Sequence, residues 1–190
     1  MASVIGITLG AIAGYYGGKV DNILMRFLDV FQSVPAMLMS IAIAATLGAG
    51  MNNAIVAIGI GTVPIYARMT RAQFLSIRGM EYVEAAVAIN AKDPRIIAKH
   101  ILPNALSPMI VQMTMGVAGA ILTAASLSFI GLGAQPPLSE WGAMLSAGRS
   151  YIRDYPHLVM FPGITIMITV LSLNMLGDGL RDALDPRLKN

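Results

Sequence analysis

Few side chains in this 190-residue sequence stand at the spacings that covalent or metal chemistry requires. Cysteine is absent, which excludes disulfide frameworks, thiolate metal sites and cysteine nucleophiles. His100 and His157 are the only histidines, and a long apolar stretch separates them, so they make neither a metal site nor a nucleophile–base pair. Ser126 and Ser128 lie inside an apolar helix with no base at the same depth, where a hydroxyl bonds to the carbonyl of the preceding turn. Asp178 and Asp182 share a helical face and Asp185 follows, but Arg181 and Arg187 lie among them; the group reads as a solvated, salt-bridged tail, not a ligand cluster. No Gly-Lys-Ser/Thr loop is present to cradle a phosphate. The chain therefore reads as no enzyme, without metal or cofactor. Its chemistry is one of binding, concentrated in residues 84–103, Glu-Ala-Ala-Val-Ala-Ile-Asn-Ala-Lys-Asp-Pro-Arg-Ile-Ile-Ala-Lys-His-Ile-Leu-Pro. This charged, helix-favouring block lies between two long apolar stretches, as a docking surface for a soluble partner would.

The elements around the block are those of a membrane protein. The composition is 56% hydrophobic and only 12% charged, where a soluble domain carries about 25% charge. A bilayer core takes about 20 helical residues to cross. Five stretches predict spans: 2–18, 30–50, 53–72, 104–132 and 157–177, the third containing Pro64 and running into Arg68 and Arg71. Gly6, Gly10 and Gly14 recur at intervals of four on one face of the first, a small-xxx-small pattern that admits another backbone. Gly133 and Pro136-Pro137 begin a segment over 133–156 that reads as an external, partly re-entrant hairpin with Trp141, Tyr151 and Tyr155 at the interface.

Charge placement predicts the orientation. Lys19, Arg26, Arg68, Arg71, Arg78, Lys92, Arg95, Lys99, Arg181, Arg187 and Lys189, eleven of the thirteen basic residues, fall on one side of these spans; Arg149 and Arg153 fall on the other. The positive-inside rule makes the richer side cytoplasmic, which puts the N-terminus of this sequence outside and the C-terminus inside. The formal net charge of +3 follows from that topology and is no sign of nucleic-acid binding.

Within the block, Pro94 suits a first helical turn with Asp93 as N-cap, so two short helices are expected to meet near Asn90–Asp93. Ala85 and Ala86 leave a shallow surface for a partner, and Glu84 offers a charge to set register. An amphipathic helix lying on the bilayer, its cations on anionic lipid, fits the same residues; both readings stand on the physics. The spans hold almost no ionisable groups, which argues against an ion-coupled carrier. Polar residues that could line a pathway are Gln32, Ser33, Ser40, Thr46, Gln112, Thr114, Thr123 and Asn174, each equally suited to bonding between helices.

The run Glu84-Ala85-Ala86, then Asn90, His100, and Leu102-Pro103, resembles the EAA loop of the membrane subunits of bacterial ABC importers. In that pattern EAA is followed after three residues by Gly, after nine more by Ile, and after one more by Leu-Pro. Further matches are Gly14-Tyr15-Tyr16-Gly17-Gly18, Leu132-Gly133 before Gln135-Pro136-Pro137, Trp141-Gly142, and the tail from Leu176 to Leu188. With His100 to Asn104 they resemble the C-type subunits of the dipeptide, oligopeptide and nickel permease branch, over essentially the whole chain.

The resemblance implies an all-α polytopic helical bundle of the type I ABC importer permease kind. It would be a single transmembrane domain over 1–190 with about five transmembrane helices, a coupling loop at about 73–103 carrying a cytoplasmic coupling helix, and the external hairpin at 133–156. It implies a permease subunit in the bacterial inner membrane, half of a pathway for di- or oligopeptides or a related solute. Its partners would be a second homologous permease, cytoplasmic ATPases that hydrolyse ATP, and an extracytoplasmic solute-binding protein. Glu84, Ala85, Ala86, Asn90, Asp93, Pro94, Leu102 and Pro103 would couple to the ATPase. Asn90 departs from the usual Gly, which turns with positive φ; Asn is the next most tolerant residue. Family members also carry a further N-terminal helix that is not in this sequence, as expected of a fragment, a split gene or a misplaced start. That departure keeps a truncated, non-transporting scaffold as an alternative, beside an ATP-independent channel or carrier.

Overall fold

The computed structural model describes residues 1–184; Asp185, Pro186, Arg187, Leu188 and Lys189 of the expected tail lie outside the described residues. Among those described, every regular element is helical: α1 (Ala2–Tyr16), α2 (Gly18–Gln32), α3 (Ala36–Leu47), α4 (Met51–Arg78), α5 (Glu81–Ala88), α6 (Asp93–Ile96), a π turn (Ile97–Ile101), α7 (Leu102–Phe129), α8 (Trp141–Gly148), a 3₁₀ turn (Arg149–Tyr151) and α9 (His157–Leu184).

The five expected stretches are helical, but they are not five equal spans. Two helices are long and apolar enough to cross a membrane, the continuous Asp93–Phe129 helix of 37 residues and α9, and α2 with α3 make a third if taken together. The expected second span over 30–50 is corrected: helix stops at Gln32 and restarts at Ala36. Pro35 supplies no N–H, and its ring disfavours helical backbone at Val34. Lys19 and Arg26, expected in a connection, stand inside α2. α1 has 15 residues, or about 22 Å of rise against a core of about 30 Å. α4 is not among the helices long and apolar enough to cross a membrane; Asn53 stands at one end of the expected 53–72 stretch and Arg68 and Arg71 at the other.

The chain divides into two compact units. The first takes in Met1–Ser33, Thr62–Met113 and the chain from Gly179, and the second Val34–Gly61 and Thr114–Asp178. In the first, α1 lies on α4 through the expected glycine face. A Cβ added at Gly6 would fall 2.5 Å from Tyr66 Cβ, one at Gly10 2.2 Å from the Ala67 carbonyl oxygen, and one at Gly14 2.6 Å from Phe74 Cβ. Only hydrogen fits at all three. Tyr15, Phe74, Ile77, Val83, Ala86, Ile96, Ile101, Ala105 and Met109 form the core beneath this contact. Ion pairs from Asp21 to Arg71 and from Asp29 to Arg68 tie α2 to α4.

In the second unit, Ala44, Ala54, Ala57, Ile58 and Leu127 form the core. Gly142 brings α8 onto α7, since a Cβ there would fall 2.0 Å from the Ala125 carbonyl oxygen. The Ser126 hydroxyl donates to the Leu122 carbonyl at 2.8 Å, as expected, but Ser128 differs. Placed at the last turn of α7, its Oγ accepts the Ala134 N–H at 3.0 Å and fixes the loop that follows.

The α1–α4 contact yields a test by paired substitutions. Gly10→Ala forces a methyl into the Ala67 carbonyl and should destabilise by about 1–3 kcal/mol. Gly119→Ala, where nothing lies within 4 Å, should stabilise by up to about 1 kcal/mol through helix propensity. Equilibrium unfolding in detergent micelles reads both signs.

Candidate functional site

The 81–103 block is built so that one side belongs to the core and the other to solvent. α5 begins after Met80, with Glu81 and Glu84 in its first turn, where carboxylates complement the helix dipole. Val83 and Ala86 are buried, while Glu84, Ala85, Val87 and Asn90 are exposed. The expectation that Ala85 and Ala86 together form an open surface is therefore corrected. They are 100° apart on the helix, and Ala86 turns into the core with Val83 and Ile96.

α5 ends in a complete Schellman motif. Asn90 has φ 58, its N–H donates to the Val87 carbonyl at 2.9 Å, and the Ala91 N–H donates to the Ala86 carbonyl at 3.1 Å. A left-handed residue after the helix lets these two bonds close on the last free carbonyls. Asn90 thus holds the turn that glycine makes in the resembling pattern.

The next helix starts one residue earlier than expected. Lys92, extended at φ −70 and ψ 144, holds the N-cap position; Asp93 and Pro94 are in the first turn, and no side chain caps it. The Asp93 carboxylate is engaged elsewhere, because the Tyr15 hydroxyl donates to it at 2.8 Å. The helix then widens into the π turn, where the Leu102 N–H reaches back to the Ile97 carbonyl. Pro103 accounts for the widening: it has no N–H for Lys99, and its ring crowds that carbonyl. The Asn104 side-chain amide donates to the His100 carbonyl at 2.7 Å. Leu102 is half-buried against the core, and Pro103 is exposed.

These elements enclose a groove of about 570 Å³ whose polar lining is Tyr15, Tyr16, Arg78, Glu84, Asn90 and Asp93. The Tyr15 and Tyr16 rings meet edge to face at 5.1 Å, and the Arg78 guanidinium lies 6.0 Å from the Tyr15 ring centroid. The lining thus sets one cation, two carboxylates and an amide around an aromatic wall. The lining offers no nucleophile paired with a base. Glu84, Asn90 and Asp93 are among the residues expected from the sequence; Tyr15, Tyr16 and Arg78 are not. The Gly14–Gly18 run was the available signal for the tyrosines.

The remaining candidates lie outside the groove. Gln32, Ser33 and Gln112 belong to the first unit, and Ser40, Thr46, Thr114, Thr123 and Asn174 to the second. Ser33, Ser40, Thr46 and Thr123 donate their hydroxyls to carbonyls three or four residues back in their own helices. Gln112, Thr114 and Asn174 are half-buried. Asp178, Asp182 and Arg181 are exposed, as expected of a solvated tail, and no salt bridge joins these three; Asp185 and Arg187 of that expectation lie outside the described residues.

Described residues whose regular elements are all helical, two of them apolar and long enough to cross a membrane, fit a multi-pass membrane protein. The chain belongs to the family of binding-protein-dependent transport system inner membrane components, whose model matches residues 6–190. It is 51% identical over 189 residues to the dipeptide transport system permease protein DppC of Alkalihalophilus pseudofirmus, covering 100% of this chain and 62% of that protein. It is 49% identical over 187 residues to the glutathione transport system permease protein GsiD of Pectobacterium atrosepticum, covering 98% of this chain and 62% of that one. The chain thus spans less than two thirds of the length of these curated relatives. Among solved structures, the inward-facing MetNI methionine ABC transporter matches with a TM-score of 0.75 at 22% identity, over 97% of this chain and 88% of that chain. The fold is that of a type I ABC importer permease.

The Schellman turn predicts an order of stabilities. Asn90→Gly should match or exceed the parent by up to about 1 kcal/mol, and Asn90→Val should cost about 1–2 kcal/mol, because a β-branched residue resists positive φ. Amide exchange over residues 86–92 should slow or hold in the first and quicken in the second.

Proposed function

We propose that this chain is a permease subunit of an ATP-driven importer and forms half of a transmembrane pathway for dipeptides, oligopeptides or a related solute. The names of the relatives, which specify dipeptide and glutathione transport, support that solute class. ATP hydrolysis takes place in partner subunits. On closing, these grip the 81–99 block and turn the spans between inward- and outward-open states by rigid-body motion. Glu84 and Ala85 meet the ATPase, Ala86 anchors the block to its own core, and Asn90 fixes the turn. Asp93 and Pro94 open the second helix, and Leu102-Pro103 pass the motion into α7.

The observation that carries this reading is the length of the Asp93–Phe129 helix. Its 37 residues rise about 55 Å, and a hydrocarbon core takes about 30 Å. About 25 Å of helix therefore projects, and the charged end at Asp93 is the end suited to water. A charged block carried on a rigid helix that projects from the hydrocarbon supports a protein partner, the choice the sequence left open. The positive-inside rule makes this end cytoplasmic. The further partners are a second, homologous permease, in a heterodimer, and a solute-binding protein that meets residues 133–156 on the opposite face.

The test is co-purification in mild detergent with the second permease and the ATPases encoded beside it. The parent chain should retain the ATPases, and Glu84→Lys should weaken retention at least about tenfold, since a reversed charge at a docking surface repels its partner. Equal retention by both forms would remove Glu84 from the interface. No retention by either, nor by an N-terminally extended form, would remove the transporter reading.

A further inference from the structure

α2 presents two faces of different chemistry. Toward α4 it buries Asp21 and Leu28, and Asp21 and Asp29 are neutralised by Arg71 and Arg68. Away from α4 it exposes Val20, Ile23, Phe27 and Val30 to 42%, 69%, 60% and 69%. At 100° per residue these four fall within a stripe about 80° wide. Lys19 and Arg26 flank the stripe along one edge; both are exposed, and neither takes part in a salt bridge among the described residues.

Length and tether fix where this helix lies. Fifteen residues rise about 22 Å, short of a bilayer core, and four of them are charged, so α2 does not cross a membrane alone. Residues 54–67 of α4 contain no charged side chain, and Arg68 is the first to follow them. On the permease reading Arg68 marks where α4 meets the headgroups, and the pairs to Arg68 and Arg71 hold α2 at that level. A helix at that depth, with an apolar stripe edged by cations, has the make-up of an interfacial helix. Headgroup phosphates complement both cations.

We infer that α2 is a membrane-interface helix that binds anionic phospholipid of the cytoplasmic leaflet. Val20, Ile23, Phe27 and Val30 enter the acyl boundary, and Lys19 and Arg26 meet the headgroup phosphates. The inference rests on the reading of the chain as a permease whose 81–99 end is cytoplasmic.

The absence of cysteine permits single spin labels in the full chain, placed at Phe27, Val30, Asn22 and, as a reference on α7, Val117. In nanodiscs containing phosphatidylglycerol, labels at Phe27 and Val30 should favour oxygen over a water-soluble nickel chelate, at about 5–10 Å below the phosphates. The Asn22 label should favour nickel. Nickel access at Phe27 and Val30 would overturn the inference in favour of a water-filled vestibule, and exclusion of both relaxers would overturn it in favour of a second subunit. The Val117 label separates the two levels: if it reports acyl chains while α2 fails, only the α2 inference falls, and if it reports water, the permease reading falls as well. Lys19→Gln and Arg26→Gln should each lower phosphatidylglycerol affinity about fivefold. Unchanged affinity in both would overturn the headgroup assignment.

Discussion

In the first compact unit α1 lies against α4 across Gly6, Gly10 and Gly14, with no room for a Cβ at any of the three. In lipid no hydrophobic force draws helices together, so association depends on the van der Waals contact that small residues allow. A methyl at any of the three would push α1 outward. With α1 held so near, Tyr15 follows Gly14 into the core and its hydroxyl reaches Asp93, 78 positions away. Gly17, with φ 65, then ends the helix beside Arg78. The groove wall, the start of α6 and the end of α4 all take their places from that approach.

The 81–103 block has a corresponding division. Val83, Ala86 and Ile96 anchor it, the Schellman turn at Asn90 spends the last carbonyls of α5, and the chain then continues without a break from Asp93 to Phe129. Nothing in that path is a slack tether. Glu84, Ala85 and Val87 are exposed on a helix whose other side is packed into the core. In the same unit the cations of α4 are treated in order of position: Arg68 and Arg71, nearest its apolar run, are paired with carboxylates of α2, while Arg78 faces the groove. Pairing is most needed where solvation is poorest.

Much of this was legible in the sequence because it depends on local chemistry. Glycines four apart announced a close helix contact, and a residue tolerant of positive φ between two helix-forming runs announced the turn. Other features depend on tertiary context. The inward turn of Ala86 follows from which side of α5 meets Phe74 and Ile96, and the pattern Glu-Ala-Ala does not say. Asp93 looked like an N-cap until a distant tyrosine claimed its carboxylate. Residues 30–50 read as one apolar span because hydropathy averages over Pro35, whereas the backbone cannot.

α1 positions the 81–103 block through Tyr15 and Asp93, and a double-mutant cycle measures this most directly. Tyr15→Phe, Asp93→Asn and the pair would be compared by equilibrium unfolding in micelles. A hydroxyl bonded to a carboxylate contributes about 1.5–3 kcal/mol, so the account predicts a coupling of at least about 1 kcal/mol between the two sites. Effects that add to within about 0.5 kcal/mol would contradict it, because the two residues would then act independently and the block would owe its position to other contacts.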